Sequence, residues 1–288
     1  MLQRIREVHK ENGTRGVAAG VCRFGYYNML PGSGQKALKS GYVTAMRHVG
    51  RDFETFEYEG KSYQMYYTTP TVDKIRNLVV DNEITRENIP LSAIDAAEPV
   101  DAVIDIGAHT GLYSVLLKRL HPDADLYAFE PADDNRAFLM ELLDANGISG
   151  TVSDEVVSGT TGTITFYIDS NGKSESHSTT ARNDFTAAEK SCLTLSDLFK
   201  REEINRAFVK IDAEGEESAI IDDLTTTNLN YLEGIVELHP NKLDVPPSEV
   251  VDNLETACSQ CKFLAETSSQ HESSRPMYHF VLKKSDFE

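Results

Sequence analysis

The chain has 288 residues, 40% of them hydrophobic, enough apolar material for one large domain or a domain with an extension, which excludes an intrinsically disordered protein. Its 46 acidic against 28 basic side chains give a formal charge of -18 and disfavour a general polyanion binder. The apolar runs, the most membrane-like being 16–22, fall well short of the roughly 18 residues of a spanning helix, so no transmembrane segment is expected.

The charge is unevenly spread. Residues 1–51 carry nine basic and two acidic side chains, a balance of +7 that leaves -25 for the remainder. Such a basic arm can dock on the acidic body, on another subunit, or peripherally at an anionic lipid surface. The acid-rich body also fits a protein from a high-salt cytoplasm, where self-repulsion is screened. Glu7 and Glu11 precede the apolar run and no h-region follows, so a secretory leader is not expected and the cytoplasm is the default compartment.

In chain order, the arm reads as short helices and loops, broken around 31–34 by proline, glycine and serine. Over 53–67 the run FETFEYEGKSYQMYY alternates aromatic with polar residues and has Glu59 and Gly60 at its centre, which predicts a hairpin. A helical pattern over 71–80 and a connection over 88–99 complete an N-terminal extension, residues 1–95. From 96 to 288 the pattern is regular. A strand is predicted over 100–106, then a helix marked by Leu112, Tyr113, Leu116, Leu117 and Leu120. A strand over 125–129 leads to a helix with Phe138, Leu139, Leu142 and Leu143 inward. Strands near 151–157, 207–211 and 234–238 follow, with helices over 219–224 and 250–258. This alternation predicts an α/β fold with a mostly parallel sheet covered on both faces. Two final strands, 262–266 and 277–282, read as an antiparallel C-terminal hairpin at the sheet edge.

Cys22, Cys192, Cys258 and Cys261 are too few for a disulfide scaffold in a chain of this length. Cys258 and Cys261 form a lone C-x-x-C without a second pair, which does not make a zinc site. Val250, Val251, Leu254, Ala257 and Cys258 share one helical face, so Cys258 reads as a small core residue.

The most informative segment is Asp105-Ile106-Gly107-Ala108-His109-Thr110-Gly111, where the first strand of the regular region passes into its helix. Gly107 and Gly111 let the backbone turn tightly and approach a ligand, and the helix start offers free N–H groups. A dinucleotide loop reads G-x-G-x-x-G; here the middle glycine is missing, and Asp105 faces the ligand position with a carboxylate that suits a cationic amino acid better than a pyrophosphate. Glu130, at the tip of the second strand, is placed to take both hydroxyls of a ribose. The pair points to a nucleoside without phosphates. His109 reads as a residue that positions the loop backbone.

These residues resemble the D-x-G-x-x-x-G motif and second-strand acid of class I S-adenosylmethionine-dependent methyltransferases. Phe129-Glu130-Pro131 followed by Asn135, Gly162-Thr163-Ile164-Thr165-Phe166, Lys210-Ile211-Asp212-Ala213-Glu214-Gly215-Glu216 and Val236-Glu237-Leu238-His239-Pro240 narrow the resemblance to the FkbM-type methyltransferases. The resemblance, which covers about residues 99–240, implies a Rossmann-like class I methyltransferase sheet, here preceded by the N-terminal helical and hairpin extension read from the pattern, and S-adenosyl-L-methionine as cofactor. Asp105, Gly107, Ala108, His109 and Gly111 then fall on the positions that wrap the methionine part, and Glu130 on the ribose ligand. Asn135 would steady that loop or contact the nucleoside. Either Asp154 or Glu155, at the end of the third strand, would reach the adenine amino group, with Val156 stacking nearby; the family more often has Asn followed by Ala at these two positions.

Methyl transfer from a sulfonium needs mainly alignment, and a hydroxyl nucleophile also benefits from a nearby base. Asp212 and Glu214 sit at i and i+2 on a strand tip, and Glu237 and His239 repeat the geometry on the next, both at the carboxyl edge where open α/β sheets bind ligands. Asp212 and His239 rank first as bases; Glu214 serves equally well as a cap of the following helix. Asp212 with Glu237 could hold a divalent cation as in catechol-type methyltransferases, but no third ligand accompanies them and no metal is expected. The expected activity is O-methylation of a small molecule or glycan, a sugar being favoured by the resemblance. The alternatives are an NAD(P)-dependent oxidoreductase, which the spacing from glycine loop to Glu130 permits, and a non-catalytic interaction subunit of the same fold.

Overall fold

The structure, a computed structural model, describes residues 52–58, 61–67, 91–169, 179, 185–227, 229–267 and 275–283. The basic arm over 1–51, the hairpin turn at Glu59 and Gly60, and the helix expected over 71–80 lie outside the described residues. The hairpin itself is present: β1 (Asp52–Tyr58) pairs antiparallel with β2 (Lys61–Tyr67), Asp52 opposite Tyr67 and Tyr58 opposite Lys61.

The regular region is one seven-stranded sheet. Its strands are β3 (Ala102–Ile106), β4 (Asp125–Phe129), β5 (Thr151–Ser153), β9 (Arg206–Ile211), β10 (Tyr231–Glu237), β11 (Gln260–Thr267) and β12 (Arg275–Lys283), in the order β11-β12-β10-β9-β3-β4-β5. From β5 to β10 every pairing is parallel; β12 runs antiparallel between β10 and β11. The sequence-based sheet and its antiparallel C-terminal hairpin are both found.

Alternation along the central strands builds two cores. Ala102, Ile104 and Ile106 of β3 pack with Val209, Ile211 and Val236 on one face, under α3 (Leu195–Arg201), α4 (Glu217–Leu224) and α5 (Pro247–Ala257). Val103 of β3 packs with Leu126, Phe208 and Ile235 on the other, under α1 (Leu112–Leu120) and α2 (Asp133–Ala145). A strand buried on both faces must be apolar throughout, which is why AVIDI reads as an unbroken run apart from its one acid.

The segment expected as one strand over 151–157 is two. β5 stays in the main sheet, while β6 (Val156–Val157) joins a separate three-stranded sheet with β8 (Phe185–Leu193) and β7 (Gly162–Asp169), in the order β6-β8-β7. The cause is local: the Ser153 hydroxyl accepts a hydrogen bond from the Glu155 amide at 3.1 Å, turning the chain out of the sheet. Among the described residues no helix is long and apolar enough to cross a membrane.

Candidate active site

Two adjacent strand ends, those of β3 and β9, carry the site. After β3 the chain turns through three residues in the left-handed region, Gly107 at φ 67°, His109 at 51° and Gly111 at 90°. At Gly107 the turn is pressed onto the next strand end: an added Cβ would lie 1.9 Å from the Asp212 carbonyl oxygen, so only glycine fits. Glu130, just beyond β4, clamps the loop. Its Oε2 accepts the His109 N–H at 2.8 Å and its Oε1 the Ala132 N–H at 2.9 Å, while the buried Asn135 side chain bonds to the same carboxylate. Burial outweighs these bonds and pushes Glu130 up to about 7. Ala108 is buried, its amide bonded to the Phe129 carbonyl at 3.0 Å.

Asp105 is fully buried and takes the Ser114 hydroxyl on Oδ2 at 2.6 Å. Its Oδ1 accepts no hydrogen bond and lies 3.5 Å from the Lys210 ammonium. Burial raises its carboxyl above the usual range, with Lys210 and Ser114 pulling the other way. Lys210, on β9, joins the two strand ends. Its Nζ donates to the carbonyls of Ile106 at 3.2 Å and Gly107 at 2.9 Å and lies 3.2 Å from Asp212 Oδ2. Burial would lower its pKa, but the charges of Asp212 and Asp105 outweigh that and raise it, so the ammonium stays charged. Sequence alone passes over Lys210 as an ordinary strand residue, because the groups it serves are about a hundred positions away.

Beyond β9 and β10, Asp212, Glu214 and His239 converge. His239 is only 3% exposed, and its Nδ1 lies 2.7 Å from Oε1 of the fully buried Glu217. Glu217 also accepts the Ala213 amide on Oε1 at 3.2 Å and the Gly215 amide on Oε2 at 3.0 Å. With acceptor oxygens facing it, Nδ1 carries the proton and donates, which leaves Nε2 as the accepting nitrogen of the neutral ring. Nε2 makes no hydrogen bond and lies 3.6 Å from Asp212 Oδ1 and 3.5 Å from Glu214 Oε1. Burial would lower the imidazole pKa; the bond to Glu217 and the charges of Asp212, Glu217 and Glu237 raise it instead. Asp212 is held below the usual carboxylate range: burial works upward, but Lys210 and His239 outweigh it. The second oxygen of Glu214 binds the Lys242 ammonium. No side chain caps the start of α4; Glu217, in its first turn, turns back to accept the loop amides of Ala213 and Gly215, and by sequence it is indistinguishable from an ordinary first-turn acid.

The third-strand candidates separate. Asp154 has an exposed carboxylate 3.6 Å from Lys190. Glu155 accepts the Ser153 hydroxyl at 3.0 Å and lies 3.7 Å from Arg201. Val156 is buried with Phe166 and Cys192 in the small sheet. Glu237 ends β10, its charge acting on Tyr113, Lys210 and His239.

Residues 105–264 match the model of the methyltransferase FkbM domain. A search of the curated proteins finds no match. Among solved structures, the chain is similar to the precorrin-6y C5,15-methyltransferase of Geobacter metallireducens GS-15, at 12% identity over 66% of this chain and 83% of that one, with a TM-score of 0.38. It is similar to a ribosomal protein L11 methylase of Lactobacillus delbrueckii subsp. bulgaricus at 12% identity, 68% and 80% coverage and a TM-score of 0.37. A S-adenosylmethionine-dependent O-methyltransferase of Thermotoga maritima aligns at 11% identity over 85% of this chain and 81% of that one, with a TM-score of 0.42.

The residues fit the cofactor such a family uses: a buried carboxylate with an unbonded oxygen at Asp105, a carboxylate at the second strand tip, and a glycine turn pressed tightly onto the neighbouring strand end. The family match, over more than half of the chain, decides between the nicotinamide and sulfonium readings: the chain belongs to the FkbM methyltransferase family, as a S-adenosylmethionine-dependent methyltransferase.

Proposed function

We propose that the protein transfers a methyl group to a hydroxyl oxygen of a small molecule or glycan, most simply a sugar. The observation that carries this reading is the convergence of His239 Nε2 with one oxygen each of Asp212 and Glu214, on a strand end that Lys210 ties to the glycine loop. S-adenosylmethionine supplies an electrophilic methyl group on a sulfonium, taken by in-line displacement with the sulfur leaving as a neutral thioether. Asp105, Gly107, Ala108, His109 and Gly111 hold its methionine part, Glu130 and Asn135 its ribose side, and Asp154, Glu155 and Val156 border the adenine side. The acceptor hydroxyl loses its proton at the cluster of Asp212, Glu214 and His239, with Glu237 beside it. An amine acceptor needs no such cluster of proton-withdrawing groups once neutral, whereas an alcohol is a poor nucleophile until its proton is drawn away. The +7 balance of residues 1–51 suits an acceptor that is itself anionic, a uronic-acid-bearing or lipid-linked glycan, met in the cytoplasm or at the membrane surface.

The test is incubation of the full chain with methyl-labelled cofactor and separate panels of neutral sugars, uronic acids, RNA and protein. Label is expected in a base-stable ether of a sugar, and Asp105→Ala and Glu130→Ala are each expected to weaken cofactor binding at least tenfold. Label appearing only on nitrogen, in RNA or in protein would overturn the acceptor class; unchanged binding in both variants would overturn the site.

A further inference from the structure

We infer that Asp212, Glu214 and His239 form a binding site for a divalent transition-metal cation, with Glu217 as the carboxylate that orients the histidine. The inference deepens the O-methylation reading and rests on it only for what the ion is used for. Three donor atoms, one from each residue, lie within 4.8 Å of one another. Two observations beyond that proximity point to a ligand. The first is His239 Nε2, a buried nitrogen without a hydrogen bond, aimed between the two carboxylates. Its separations of 3.6 and 3.5 Å from their oxygens are close to the ~3.4 Å that two donors show when each binds one ion at about 2.0–2.2 Å with tetrahedral angles.

The second is how the donors are held. Glu217 fixes Nδ1, the arrangement by which a carboxylate orients a metal-binding histidine and presents its other nitrogen to the ion. Each carboxylate of the trio is anchored through its other oxygen, Asp212 Oδ2 by Lys210 and Glu214 Oε2 by Lys242, so that Oδ1 and Oε1 face the imidazole. The cations do not cancel the site: Asp212, Glu214, Glu217 and Glu237 bring four carboxylates against the ammoniums of Lys210 and Lys242 and the more general pull of the Arg275 guanidinium on Asp212. The histidine is buried while the two carboxylates are 27% and 20% exposed, so among the described residues the donors that face the imidazole stay partly in reach of solvent. From sequence, Asp212 and Glu237 lacked a third ligand; the trio uses Glu214 and His239 instead.

One imidazole nitrogen and two carboxylate oxygens suit manganese, iron(II) or zinc and disfavour magnesium and calcium, which prefer oxygen alone. Three protein donors leave at least one position open. With an ion held there the three donor atoms would no longer take the proton themselves: an acceptor hydroxyl occupying the open position would be acidified by the ion and lose its proton to water.

The experiment is a titration of the metal-free full chain with Mn²⁺ alone, followed by calorimetry and by the electron paramagnetic resonance of the bound ion, without cofactor or acceptor. Manganese is the probe because it favours oxygen and imidazole donors over thiols and its bound form is read directly by electron paramagnetic resonance. One ion per chain is expected, at least tenfold weaker in His239→Ala and in Glu214→Gln, and about 10- to 100-fold weaker in Glu217→Gln. Circular dichroism and cofactor binding like those of the unsubstituted chain show that each variant is folded. Should His239→Ala misfold, loss of nitrogen hyperfine coupling to the bound ion in Glu217→Gln gives the same information. Absence of binding at about 100 μM Mn²⁺, near the weak end of ordinary ligand affinities, or binding in Glu214→Gln and Glu217→Gln as tight as in the unsubstituted chain, overturns the inference. Ion binding with no transfer to any hydroxyl would leave the site standing and sink the acceptor reading alone.

Discussion

At Gly107 a single methyl group would lie 1.9 Å from the Asp212 carbonyl oxygen, in a backbone conformation of φ 67° that side chains already resist. Neither atom can retreat, since both belong to main chain at the ends of neighbouring buried strands. Gly107→Ala is therefore expected to cost about 3 kcal/mol or more of stability and to abolish cofactor binding, read by thermal melting and a cofactor titration. A melting point within about 2 °C of the parent would show that the two strand ends are not in contact. At this scale the sequence reveals residues whose type is unusual for their place: a carboxylate in an apolar strand, a glycine after it, a carboxylate at the next strand tip. It hides residues whose type is ordinary for theirs. Lys210 and Glu217 look like a strand lysine and a first-turn glutamate, and only their burial against Asp105, Asp212 and His239 makes them part of the site.

The elements differ in how clearly they announce themselves. Strands β3, β9 and β10 are apolar because both faces are covered, and their helices carry one apolar stripe each, so both read directly. Strand β8, FTAAEKSCL, is buried only at its last two residues and has no apolar alternation to detect. The helix after it, α3, is only seven residues long and is started by Thr194, whose hydroxyl accepts the Asp197 amide at 3.0 Å. Thr194→Ala should cost about 1 kcal/mol, measured by denaturant unfolding, with cofactor affinity unchanged because the cap touches none of the site residues. A loss below about 0.3 kcal/mol would mean that packing of Leu195, Leu198 and Phe199 alone holds the helix.

For the whole molecule the buried ionisable groups set a pH profile. Glu130, raised from 4.5 to about 7, binds its proton more tightly when folded, so its contribution is complete in acid and is lost as pH climbs from about 4.5 to 7. That group alone is worth about 3 kcal/mol across the interval. His239, also raised, is stabilising below its ordinary 6.5 and ceases to be so as pH rises through its folded value. Asp212, Asp133 and Glu233 are lowered and act in the opposite sense, stabilising above the ordinary carboxylate range and failing as pH falls through their folded values. The cofactor-free protein is thus expected to be most stable near pH 5–6, with a melting temperature that falls toward pH 8, and less steeply in Glu130→Ala. A flat or rising melting temperature from pH 5.5 to 8, at constant ionic strength, would contradict this.

The sequence by itself determined the layered α/β sheet, the antiparallel closing hairpin, the family and the tight glycine turn, because each rests on short-range pattern: periodic burial, a turn that only glycine can make, an acid at a strand tip. The tertiary structure decided what those acids stand against. The charge of -18 could not show that Asp212 and Glu214 each give one oxygen to a lysine and turn the other toward His239. Such a pairing depends on which strand ends lie side by side, and strand order is set by packing across the whole sheet rather than by any one segment.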